Sequence, residues 1–338
     1  MAYQNVGTPR FYVSWGDWWK SIGGDIPNFA LLNPSQEPTE VLFENNFNNL
    51  TKVYVPDGYT SVVEGLNFCA VLGHDLGDSR DELIVGDYPS PIHVRIGSEN
   101  GAITNETHSL YVNAEYPIEH NGFSLQVFDG FGEISEYVIM GFLGSFGSGY
   151  YAEPAPVYIN FNSFVFGKTY DMPHSPDLSL KLSYEYDGIK TTQTKGGATL
   201  SNATYTKPAD WGKYGAWQIG DNPNPRSGRR VWDLSFSYLS DSDLMPRVAG
   251  GTNYASDQYT TDDYYQHLTT LKGSDFFSQV WNRTLGGHLP FIFQPNGGTN
   301  GNNNPDQFAI CRFDMNTLTY DQVANNVYNV KLKIREVW

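Results

Sequence analysis

Val231-Trp232-Asp233-Leu234-Ser235-Phe236-Ser237-Tyr238-Leu239 alternates apolar and polar side chains from Trp232 onward. A period of two is that of a half-buried antiparallel strand, with Trp232, Leu234, Phe236 and Tyr238 on one face and Asp233, Ser235 and Ser237 on the other. Leu178-Ser179-Leu180-Lys181-Leu182-Ser183-Tyr184-Glu185-Tyr186 carries the same period. Downstream, Leu289–Phe293, Gln307–Phe313 and Val327–Ile334 read as strands that close the chain. Upstream, short β-type runs recur at 41–43, 52–55, 67–72, 92–96, 123–128 and 137–140. Asp57-Gly58, Pro89-Ser90-Pro91 and Asp129-Gly130 punctuate them as turn signals.

Two helical stretches interrupt this pattern. Phe11 and Val13 alternate as a strand, and then Trp15, Trp18, Trp19 and Ile22 take helical spacing. Near residue 280, Ser274 is the expected N-cap and Asp275 supports the helix dipole. Phe276, Phe277, Val280 and Trp281 form an apolar face, and Gly286-Gly287 stops the helix. Thr191–Thr206 reads as an exposed hairpin or loop. The glycines of Gly141–Gly149, with Pro154 and Pro156 beyond, mark a domain junction.

The predicted fold is therefore all-β. A β-sandwich of jelly-roll type at 41–146 is inserted in, or joined to, a second antiparallel β platform domain at 147–338, with one or two short helices. Residues 1–40 form an N-terminal segment of the platform.

Composition narrows the function. The 338-residue chain carries a formal charge of −16, and its Lys and Arg do not cluster beyond Arg229-Arg230, so a phosphate backbone should be repelled rather than bound. The longest apolar runs are short and broken by Gly, which predicts no membrane insertion, and the N-terminus shows no secretory signal. The two cysteines, Cys69 and Cys311, lie in apolar strand-like runs and read as buried free thiols of a protein made in a reducing cytoplasm.

The search for chemistry predicts no catalytic, cofactor-binding or metal-ligating residue. The seven histidines show no zinc spacing, and no nucleophile elbow, phosphate loop or dinucleotide fingerprint is present. Gly73-His74-Asp75 follows an apolar strand, where a reactive group can sit. A turn histidine satisfied by hydrogen bonds is the alternative. Carboxylates such as Asp241/Asp243, Asp257/Asp262/Asp263 and Asp78/Asp81/Glu82 have the residue type for glycoside cleavage, but loop carboxylates abound in an acidic chain. Asp241-Ser242-Asp243 offers oxygens to Ca²⁺ without the Gly and distal Glu of a hand-type loop. The Trp15/Trp18/Trp19 cluster suits a sugar platform, a core or an interface anchor.

Three stretches together carry a resemblance. Leu66-Asn-Phe-Cys-Ala-Val-Leu-Gly-His-Asp-Leu-Gly77 is similar to the strand and Leu-Gly-His-Asn-Leu turn of jelly-roll modules in tailed-bacteriophage tail proteins, with Asp75 where the module often has Asn. Residues 123–144 resemble the final strand of that module. Residues 228–338 resemble distal-tail and tail-tip proteins, from Gly228-Arg229-Arg230-Val231-Trp232 through Leu289-Pro290-Phe291-Ile292-Phe293 to Leu332-Lys333-Ile334-Arg335-Glu336-Val337-Trp338.

The resemblance implies a non-enzymatic virion structural protein of the tail tip or baseplate, synthesised in the host cytoplasm. Its partners would be further copies in a ring and neighbouring tail proteins. Candidate interface anchors are Trp15, Trp18, Trp19, Arg229, Arg230, Trp232, Trp281, Arg335 and Trp338, because aromatic and Arg residues favour such contacts. Such modules are similar to galactose-binding-like domains. This makes a host cell-surface glycan the alternative partner, with His74, Asp75 and Phe131 as candidate loop residues. A glycan-degrading enzyme is the second alternative.

Overall fold

The computed structural model describes residues 5–33, 39–43, 51–54, 65–74, 84–85, 88–89, 92–97, 107–110, 122–128, 137–142, 157–185, 189–203, 229–246, 273–298, 301–303 and 307–337. The fold is all-β. In chain order its strands are β1 (Arg10–Ser14), β2 (Thr39–Phe43), β3 (Thr51–Tyr54), β4 (Phe68–His74), β5 (Ile84–Val85), β6 (Tyr88–Pro89) and β7 (Ile92–Gly97). Then follow β8 (Thr107–Leu110), β9 (Gly122–Val127), β10 (Tyr137–Phe142), β11 (Val157–Phe161), β12 (Ser163–Asp171), β13 (Lys181–Glu185) and β14 (Ile189–Gln193). The last are β15 (Thr199–Ala203), β16 (Arg229–Ser240), β17 (Phe291–Gln294), β18 (Ala309–Phe313), β19 (Tyr320–Ala324) and β20 (Val327–Glu336).

One ten-stranded antiparallel sheet organises the described residues, in the order β13-β16-β20-β18-β17-β1-β12-β4-β9. Along one side β20 pairs with β16, while its other side is shared end to end by β18 and β19. Smaller sheets are β3-β10-β7-β8, β11-β2, β14-β15 and β5-β6.

The two faces of the large sheet carry different cores. Phe11, Val13, Trp232, Leu234, Phe236, Phe291, Phe293, Cys311, Leu332 and Ile334 pack on one face with Phe276 and Val280. Tyr12, Phe68, Ala70, Leu72, Val165, Ile292 and Ile310 pack on the other. Central strands are buried on both faces, so they read as continuous apolar runs, as at Phe291–Phe293. The outer strands β16 and β20 bury one face only and alternate. The ring contacts on the first face are close: Phe11 lies 5.3–6.0 Å from Phe276, Phe291, Phe293 and Phe313, distances at which tilted and edge-on aromatic pairs attract.

Several sequence expectations change here. The 41–146 segment does not stand apart: β4 pairs with both β12 and β9, and so extends the same sheet that holds the C-terminal strands. The reason is that Phe68–His74 is buried throughout, and a strand apolar on both faces finds cover and ladder partners only in the interior of a large sheet. The expected strand beginning at Leu178 starts at Lys181, because Leu178 lies in a turn and is fully exposed.

The expected inward Tyr238 faces solvent. A bulge between Phe236 and Leu239 breaks the period, puts Tyr238 at φ 62° and returns Leu239 to the core. The first helix, α1 (Trp15–Ser21), forms as read, and its cap is Ser14, whose hydroxyl accepts from the Asp17 N–H at 3.3 Å. The second is a single π-helical turn, Phe277–Trp281, rather than a longer α-helix. Its capping side chain is Asp275, not Ser274: Asp275 Oδ1 accepts the Ser278 N–H and Oδ2 accepts the Ser278 hydroxyl, each at 2.9 Å. Gly286 and Gly287 follow at positive φ, as a helix stop requires.

Candidate functional site

Working outward from the core, the site residues expected from the sequence, together with those that only the fold brings forward, fall into three groups. The first is enclosed. Trp15, Trp18 and Trp19 on α1 are 1%, 3% and 0% exposed, and Trp19 packs 5.5 Å from Phe166. Trp232 is also buried, 5.2 Å from Phe293. These four rings are core of the described fold and present no face to a second molecule; Trp281 is partly buried 5.3 Å from Phe313. Sequence spacing located the tryptophans on one helical turn but missed what holds them. The buried Arg283 guanidinium lies over Trp18 at 4.4 Å and over Trp15 at 5.5 Å, a cation–π arrangement strengthened by desolvation. Burial pulls its pKa down to about 9, so it remains charged at neutral pH. No local pattern in 280–286 announces this contact, because Arg283 meets the tryptophans only through tertiary folding.

Arg230 is likewise enclosed. Its backbone N–H and Nε donate to one Glu336 carboxylate oxygen at 3.0 Å each, and a terminal nitrogen donates to the other at 3.0 Å. The same terminal nitrogen reaches the Phe308 carbonyl at 2.7 Å, and the guanidinium stacks over Trp232 at 5.1 Å. Burial alone would lower the Arg230 pKa, and the adjacent Glu336 carboxylate outweighs it and raises it. Arg230 is therefore a structural cation that joins β16, β18 and β20.

His74 is a strand residue, not a turn residue. It ends β4 after a bulge at Gly73, where φ is +64°, and its Nε2 lies 2.9 Å from the Ser124 hydroxyl of β9 in a buried pair. Asp75, Phe131 and Trp338 lie outside the described residues. The Asp241/Asp243 carboxylates have a local role: Asp243 accepts from both the N–H and the hydroxyl of Ser240, at 2.8 and 2.5 Å, at the start of a short helix, α2 (Asp241–Leu244). Among the described residues no group of three His, Cys, Asp or Glu side chains could hold a metal ion.

The second group lies on the solvent side of β13-β16-β20. There a trough of about 640 Å³ is lined by Lys181, Asp233, Asp314, Asp321, Lys331 and Lys333, with Ser235 and Thr317 between them. Lys333 pairs with Asp314, which raises its pKa by hydrogen bonding. Arg335 pairs with Glu185 at 2.9 Å, and Arg229, half-buried beside it, has its pKa lowered by burial and then by the Arg335 charge. Charges of alternating sign with interspersed hydroxyls make this a surface of mixed hydrogen-bond donors and acceptors.

The third group is the margin of the sheet. Among the described residues β13 pairs only with β16, so its other backbone edge has no described partner, and its Tyr184 is 43% exposed. Tyr238, 81% exposed through the β16 bulge, was missed by period reasoning because a bulge cannot be read from alternation.

No protein-family model, curated protein or solved structure matches this chain. Among the described residues no helix is long and apolar enough to cross a membrane.

Proposed function

We propose that this chain is a non-enzymatic structural subunit of a bacteriophage tail tip or baseplate. It assembles through β-domain contacts with further copies of itself and with neighbouring tail proteins, and presents outward a jelly roll drawn from the part of the 41–146 segment outside β4 and β9, which belong to the large sheet. The observation that supports this best is the open margin of the large sheet. β13 leaves one backbone edge unpaired among the described residues, beside a polar face of alternating charge and the exposed Tyr184. An unpaired edge strand is a template for strand addition, and the neighbouring tyrosine and charges supply contact area and register. The sequence resemblance of residues 66–77, 123–144 and 228–338 to tail proteins supplies the setting.

The test is the composition of the particle. Virions purified by density gradient and digested for mass spectrometry should contain peptides of this chain, and gold-labelled antibody should decorate the tail tip in electron micrographs. Particles that lack the chain would overturn the proposal.

A further inference from the structure

Residues 189–203 form a two-stranded ribbon that stands clear of the sheets. β14 and β15 pair in register from Ile189↔Ala203 to Gln193↔Thr199. The tip is closed by three bonds on Thr194: its N–H donates to the Ala198 carbonyl (2.8 Å), its carbonyl accepts the Gly197 N–H (2.9 Å), and its hydroxyl accepts the Ala198 N–H (3.0 Å). Every residue from 191 to 200 is exposed, so side chains on both faces of the ribbon meet solvent, Leu200 at 58% among them. A lone two-stranded ribbon is marginally stable in water and gains when one of its faces is covered. Thr191, Thr192 and Thr199 favour the extended backbone without needing burial.

Its charge says what could cover it. Residues 189–203 contain Lys190 and Lys195 and no Asp or Glu, a ribbon of +2 on a chain of −16, so the remainder of the chain carries −18. Salt screens the long-range repulsion between two such bodies, while a ribbon lysine brought against a carboxylate of the next copy is attracted at short range. We infer that the 189–203 ribbon is a basic clasp that docks on the acidic body of a second copy of this chain. The contact is heterologous, ribbon to body, and such contacts propagate around a ring or along a filament. The inference rests on the assembly reading above and names which segment makes the contact.

The test compares the full-length chain with two variants by light scattering over a concentration series. In one, Lys190→Glu and Lys195→Glu reverse the ribbon's charge. In the other, Gly-Gly replaces residues 191–200, all of them exposed. The wild type should associate at about 0.15 M NaCl, where the long-range repulsion is screened. The charge-reversed variant should associate about tenfold more weakly, a difference that 0.5 M NaCl largely removes by screening. The shortened variant should remain monomeric, with its near-ultraviolet circular dichroism and urea midpoint unchanged, because the exposed part of the ribbon contributes nothing to the core. Association of the shortened variant at wild-type strength would overturn the clasp, and so would a wild-type chain that is monomeric at every concentration. Neither result bears on the virion digest, by which the tail-tip reading is judged separately.

Discussion

Replacing Glu336 by Gln would leave the Arg230 guanidinium buried without its counter-charge. Both side chains are almost fully enclosed, 4% and 2% exposed, and Glu336 accepts three of the bonds that satisfy Arg230 and its backbone. A glutamine keeps one acceptor oxygen and turns an NH₂ toward a cation, so at least one of the three bonds is lost and the ion pair becomes a buried lone charge. Breaking such a pair from one side costs about 3–5 kcal/mol. For a cooperative unit of this size that lowers the melting temperature by on the order of 10 °C. Urea unfolding followed by tryptophan fluorescence should show a reduced midpoint at an unchanged slope. The companion variant Arg230→Met with Glu336→Leu removes both charges and should recover most of the loss, to within about 1–2 kcal/mol of wild type, since an apolar replacement of a buried pair is often neutral. A cost below about 1 kcal/mol for Glu336→Gln would refute the reasoning, because it would mean that the pair is solvated and the junction of β16, β18 and β20 is held by other contacts.

Three further outcomes follow from particular residues. Burial raises the Asp17 pKa above its ordinary 3.8, against the bonds from Ser14 and Leu32 that lower it. The folded state therefore binds a proton before the unfolded one as pH falls, so this group contributes a stability gain between its raised folded pKa and about 4. Asp17→Asn should abolish that gain and flatten the pH–stability curve measured by urea titration over that range. Cys69 and Cys311 are buried, and burial pushes the Cys69 thiol well above its usual range, so iodoacetamide should label neither in the native protein and both in 8 M urea, read by mass spectrometry. Gly73→Ala should destabilise by about 2 kcal/mol or more in urea, because an added Cβ overlaps the Asn162 side-chain oxygen and the positive φ strains any L-residue.

The periods at 231–237 and 327–334, the Phe11/Val13 strand, the Trp15–Ile22 turn of helix and the all-β class were legible in the sequence. Strand and helix periods are local properties that survive wherever one face is buried and the other is wet. The sequence also marked Thr191–Thr206 as exposed from its polar, Gly-containing composition. Other features were decided by tertiary contact. Whether β4 belongs to its own sandwich or to the large sheet depends on which strand it meets, and Phe68–His74, apolar on both faces, is compatible with either. Arg229 and Arg230 are identical in the sequence, yet one is half-exposed at the margin and the other is locked inside by a carboxylate 106 residues away. Likewise the tryptophans of α1 could stack on a ligand or fill a core, and Arg283, far along the chain, fixes the second. Sequence by itself determined the local backbone state, because that rests on neighbours a few residues apart. Only the folded chain decided which polar and aromatic groups are spent inside and which are left to meet a partner, because burial depends on residues that sequence spacing does not connect.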